Sequence, residues 1–100
     1  MRYLTVTAEY MGTGLKDKFE GSLSPDKLNL PVDLEAEIFL WNEAYQAVIP
    51  MNNDGRCFNA ELIKSLDNQG LVITRKIKEF VGVDHKIEYY SEGLLRHLVV

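Results

Sequence analysis

The sequence predicts an α+β domain. A small sheet of two to three strands packs against an antiparallel helical hairpin, in the order β-α-α-β with a possible final β strand. Three observations lead there. Residues 2–10 and 85–90 alternate with period two, residues 31–50 and 60–81 carry a helical period, and 100 residues are enough for one hydrophobic core but not two. The whole of 1–100 therefore reads as a single domain, without internal repeat or low-complexity tract.

The first strand is expected over residues 2–10, with Leu4, Val6, Ala8 and Tyr10 on one face and Tyr3, Thr5, Thr7 and Glu9 on the other. Gly12 and Gly14 end it. Residues 11–29 lack a clear period and contain Gly21, Ser22, Ser24 and Pro25, so they read as a long loop, unless a second strand lies near residues 15–20. From Pro31 the period becomes helical: Leu34, Ile38, Trp41, Tyr45, Val48 and Ile49 fall on one stripe, and Pro50 stops it. Residues 51–56 read as a turn around Asp54-Gly55. Asn59 then fits a helix N-cap, with Phe58 stapled onto Ile63. Leu62, Leu66, Ile73, Ile77 and Phe80 form the stripe of a helix over 60–81, about 33 Å long at 1.5 Å per residue, ending at Gly82. Gly70 lies near that stripe. It either admits close approach to the first helix or breaks the second, and close approach is the expectation. Strand 85–90, with Ile87 and Tyr89 inward, turns at 91–93 toward a partner strand at 94–99.

Composition narrows the function classes. Hydrophobic residues make up 46% and charged residues 26%, an ordinary globular balance. The net charge of −4 opposes general nucleic-acid binding, which needs excess Lys and Arg to displace counterions. One cysteine, Cys57, excludes a disulfide scaffold. No apolar run approaches the roughly 20 residues of a membrane span, and the opening Met1–Thr5 is not expected to be a signal peptide. A cytoplasmic protein, monomer or weak dimer, is the expectation.

No catalytic, cofactor or metal site is expected. Cys57, His85 and His97 are too widely spaced for a zinc pattern, and residues 52–55 lack the alternating oxygens of a calcium loop. Gly12-Thr13-Gly14 lacks the remaining elements of a phosphate loop. The acids of the first helix, Glu35, Glu37 and Glu43, fan around the cylinder and do not converge as a general acid–base pair would. Charge is nonetheless uneven. Residues 1–63 hold ten acids against five bases, residues 64–100 five against six, and residues 33–49 contain no base. Phe39 lies off the apolar stripe, flanked by Glu35, Asn42, Glu43 and Gln46, as an interface anchor in a polar rim would. The expected partner surface is Glu35, Glu37, Phe39, Asn42, Glu43, Gln46 and Asp54, extended by Asp26 and Glu61.

Two runs carry a family resemblance over residues 28–90: Leu28-Asn29-Leu30 with Leu34, Ile38, Trp41-Asn42-Glu43 and Tyr45, and Gly70, Ile73, Ile77 with Val83-Asp84 opening a strand. The chain here resembles small bacterial immunity proteins of polymorphic toxin systems, such as contact-dependent growth inhibition. The resemblance implies a protein without enzymatic activity that binds and neutralises a cognate toxin in the cytoplasm. Many such toxins are basic nucleases, which an acidic surface would meet by charge complementarity. The other expectation is a structural or regulatory module whose acidic helix and apolar sheet edge at residues 94–99 support homo-oligomerisation.

Overall fold

The computed structural model describes residues 2–100 and shows an α+β fold with a larger sheet than the sequence suggested. Five strands, β1 (Tyr3–Val6), β2 (Leu15–Asp17), β3 (Gly21–Ser22), β4 (Lys86–Ser91) and β5 (Arg96–Leu98), form one mixed sheet in the order β3-β2-β1-β4-β5. The central pair β1–β4 is parallel and its neighbours are antiparallel. Two main helices, α1 (Val32–Tyr45) and α3 (Ala60–Val81), lie between β1 and β4 in the chain, with the short α2 (Asn53–Phe58) before α3. The expected two to three strands against a helical hairpin are thus corrected to a five-stranded mixed sheet with two main helices.

The extra strands come from the stretch read as a loop. β2 escapes period-two reading because it is three residues long and its inward face carries Asp17 beside Leu15. That carboxylate is buried and fully engaged: it accepts the amides of Phe19 (2.8 Å) and Glu20 (3.2 Å) and the guanidinium of Arg2 (3.2 Å). The Phe19 amide leads, with the Glu20 amide and Arg2 adding to it, and together they hold the Asp17 carboxyl below its ordinary range despite desolvation. β1 ends earlier than expected. Leu4, Val6 and Ala8 are buried, but Tyr10 is exposed.

Leu34, Ile38, Trp41 and Tyr45 of the expected stripe are buried on α1, but the helix ends at Tyr45, not at Pro50; residues 46–50 turn, and Val48 reaches the core from there. Residues 51–56 do not form a simple turn. Asn52 caps α2 by accepting the Gly55 amide at 2.8 Å, and the expected staple is absent, since Phe58 is 93% exposed while Ile63 is buried. Arg56 then binds the carbonyls of Ile49, Met51 and Gly93 at 3.0–3.3 Å, and that of Glu92, fixing α2 to the β4–β5 turn. α3 is unbroken over the full 22 residues.

Gly70 does mark a close approach, but to β4 and not to the first helix. A Cβ there would lie 2.3 Å from the Tyr89 ring. Gly14, at φ +85°, plays the matching role under α1, where a Cβ would press on Ile38 and Trp41. Together they let the helices settle on the sheet around Trp41, Tyr45 and Tyr89, whose rings meet at centroid distances of 5.7 and 6.0 Å. Gly70→Ala gains about 1 kcal/mol of helix propensity yet drives a methyl into Tyr89. The expected net result is a loss of about 1–3 kcal/mol, read as a lower urea midpoint with altered near-ultraviolet dichroism.

Candidate binding surface on the first helix

Helix α1 is apolar on two sides. Its inner stripe is consumed by the core. On the outer side Val32, Ala36, Leu40 and Ala44 recur every four residues, with Phe39 beside them, and all five are exposed. Val32 is 79%, Phe39 61% and Leu40 63% exposed. An i, i+4 row of this kind makes a continuous strip along a helix, not scattered single residues.

Acids border the strip. Asp33 and Glu43 are exposed, and α1 contains no basic residue. Glu35 stands next to Asp26 of the preceding 3-10 turn. Loss of solvent, and then the neighbouring Asp26 carboxylate, push the Glu35 carboxyl above its ordinary range. Glu37 is held differently, by an ion pair with Lys76 of α3 at 2.8 Å. Beside that pair a cleft of about 370 Å³ opens between the start of α1 and the end of α3, lined by Asp33, Leu34, Glu37, Glu79 and Phe80.

The expected surface is therefore only partly assembled. Glu35, Phe39 and Glu43 share the outer side of α1, and Asp26 joins Glu35. Asn42 faces inward. Its Oδ1 accepts the Glu9 amide (2.9 Å) and its Nδ2 donates to the Gly12 carbonyl (3.0 Å). Gln46 donates to the Glu9 carbonyl at 2.9 Å. Both are spent on tethering the β1–β2 loop. Asp54, on α2, and Glu61, in the first turn of α3, are exposed on other elements. The strip leaves little trace in the sequence, because two of its members are small alanines and Val32 and Leu40 stand on the same helix as a stronger inner stripe.

A second polar cluster, also overlooked, lies inside the fold. Asp67 of α3 is buried among Ile63, Leu66, Gly70 and Ile73. It accepts hydroxyl protons from Tyr45 (2.8 Å), Tyr89 (2.6 Å) and Ser91 (2.7 Å). The Tyr45 oxygen in turn accepts the Gly93 amide at 2.8 Å, and Ser91 Oγ accepts that of Leu94 at 3.0 Å. Burial first, with Asp67 adding to it, pushes the Tyr45 phenol up to about 12 and the Tyr89 phenol higher still. Phenols in that state donate and do not ionise, so the cluster is built for cohesion, not proton transfer. Nothing in the period marks it: Asp67 lies about 100° around α3 from Leu66, off the stripe of Leu62, Leu66, Ile73, Ile77 and Phe80, and reads there as a surface acid.

Cys57 is exposed on α2, whereas His85 accepts the Arg2 amide at 3.0 Å and His97 lies on β5. Among the described residues no group of three His, Cys, Asp or Glu side chains is placed to hold a metal ion, and no helix is long and apolar enough to cross a membrane. No protein-family model matches the chain, and no curated protein matches it.

Removing the carboxylate strands three buried hydroxyls. Asp67→Ala is expected to cost about 3 kcal/mol or more, and Tyr45→Phe about 1–3 kcal/mol, by chemical denaturation. Alkaline pH should act on the same cluster. Unfolded phenols titrate near 10, below the folded value, so this stabilisation is complete below pH 10 and falls as pH rises toward 12. Urea midpoints measured at pH 8, 10 and 11.5 should decline, less steeply in Tyr45→Phe.

Proposed function

We propose that this chain is a non-enzymatic protein-binding domain that docks a partner on the outer side of α1. One observation carries the reading: an apolar strip of Val32, Ala36, Phe39, Leu40 and Ala44 faces solvent with acids beside it and no base on the helix. A single exposed apolar residue is commonplace, but a contiguous strip rimmed by charge is the makeup of an interface. Phe39 and Leu40 supply the anchors. Asp33, Glu35 and Glu43 form the rim. The partner presents apolar side chains framed by Lys or Arg, and a cation placed against Glu35 and Asp26 offsets the repulsion between those carboxylates.

The resemblance to immunity proteins supports a specific version. In it the partner is a basic, nuclease-type toxin, neutralised in the cytoplasm by occlusion without chemistry. A second reading rests on β5, an edge strand beside the exposed Val99, which is open to pairing with another copy of the chain.

Affinity for a partner isolated with the native chain tests the surface. Phe39→Ala and Leu40→Asp are expected to weaken binding at least tenfold, mainly through faster dissociation, and Glu43→Lys to slow association and flatten its salt dependence. All three side chains are exposed, so melting temperatures should stay near wild type. Unchanged affinity in all three would remove α1 as the interface. Light scattering that shows a concentration-dependent dimer, lost on Leu98→Pro, would favour the β5 reading instead.

A further inference from the structure

The sheet is open along β5. That strand pairs with β4 on one side and, among the described residues, with no strand on the other, so its outer backbone N–H and C=O groups lack a ladder partner. No proline interrupts residues 94–100, and Leu94, Leu95 and Val99 beside the edge are 45%, 56% and 94% exposed.

Register decides which side chains an added strand meets. Arg96 and Leu98 stand opposite Ser91 and Tyr89, which are buried, and so lie on the helix side of the sheet. His97 lies on the other side with Tyr90, their ring centroids 5.1 Å apart. On the helix side a hollow of about 270 Å³ separates α3 from the β4–β5 hairpin, walled by Ala60, Ile63, Lys64, Leu94 and Leu98. It falls below the roughly 300–1,000 Å³ of small-molecule sites and suits an apolar side chain.

Charge selects the kind of strand. Lys64, Arg75 and Lys78 fall within about 60° of one another around α3, on the flank that walls the hollow. All three are exposed, as is Arg96, and none of the four forms an ion pair among the described residues. The acids beside the edge are engaged: Asp67 by three hydroxyls, Glu92 toward Arg56 at 4.0 Å, and Glu88 toward His97 at 3.5 Å. A second copy of the chain fits poorly. Pairing β5 with its own image sets two basic flanks against each other across a ladder of three residues.

We propose that the free edge of β5 takes up an extended acidic segment of a partner protein as a sixth strand. Main-chain hydrogen bonds hold the segment, and alternate side chains face α3. One of these is apolar and fills the hollow between Leu94 and Leu98. The residues two positions before and after it, about 7 Å away on the same side, are Asp or Glu and meet Lys64 and Arg96. The segment therefore reads acid-x-apolar-x-acid. The surface shares no residue with the α1 strip, so the two stand or fall separately.

Titration of the isotope-labelled full chain at low ionic strength, followed by nuclear magnetic resonance, tests this. The probe is the acetylated, amidated peptide Ser-Glu-Thr-Leu-Thr-Glu-Ser, and the control replaces both Glu by Lys. The acidic peptide is expected to saturate, to shift the amides of residues 94–99 and slow their hydrogen exchange, and to bind at least tenfold more tightly than the control. The double variant Lys64→Glu/Arg96→Glu should lose at least tenfold for the acidic peptide at an unchanged melting temperature, since both side chains are exposed. Phe39→Ala should leave peptide binding as it is. The proposal is overturned if the acidic peptide does not saturate, if both peptides bind alike, or if the shifts fall away from β5 and the facing flank of α3. A double variant that binds as wild type does also overturns it, as does dimerisation of the chain alone through β5, which assigns the edge to a second copy.

Discussion

A carboxylate sealed in an apolar core without a cation dictates much of this fold. Asp67 is 3% exposed, and three hydroxyls stand in for the water it has lost. Leaving it unsatisfied would cost several kcal/mol, so every element that supplies a hydroxyl must arrive in register. Tyr45 brings the end of α1, Tyr89 the middle of β4, and Ser91 the start of the β4–β5 turn. Gly70 is the geometric condition for this arrangement, because only a residue without a side chain lets α3 approach Tyr89. Such a network does more to specify one packing than to add net stability. Apolar side chains of the same shape would add comparable stability but would not fix rotation about the α1 and α3 axes.

Fixing that rotation decides what α1 shows to solvent. With Trp41 donating to the Leu66 carbonyl at 2.9 Å and Tyr45 bound to Asp67, the inner stripe is locked down. Asn42 and Gln46 hold a flank by gripping the Glu9–Gly12 loop. Val32, Ala36, Leu40 and Ala44 then have nowhere to go but outward. Their exposure follows from constraints on the opposite side of the same helix, and a helix apolar on both sides needs a second covering surface to lose that exposure.

The sequence announces the helices and conceals half of the sheet for one reason. Periodicity needs length. α3 runs for 22 residues and was recognisable from residue 60 to 81, whereas β2 and β3 have three and two residues and draw their order from pairing with β1. Polar side chains mislead in both directions. Asn42 and Gln46 look like rim residues because their hydrogen-bond partners sit more than thirty positions away, and Asp67 looks like a surface acid until Tyr45, Tyr89 and Ser91 are brought around it. Phe39 was recognisable, since an aromatic off the stripe stands out. The alanines and Leu40 beside it were not, because one strong stripe satisfies the usual expectation for a helix.

Net charge is a sum, and folding sorts its parts. The outer side of α1 receives acids alone, while the uncovered sheet face collects Lys16, Lys18 and Lys86 around Tyr3. An overall −4 therefore describes neither face: it sums an acid-only side of α1 and a sheet face that carries three lysines. With screening over about 10 Å in 0.1 M salt, a molecule on either face meets mainly the charges of that face. The sheet, with its helices packed on one side only, keeps the acidic strip and the lysine cluster on opposite sides of the molecule, where neither cancels the other.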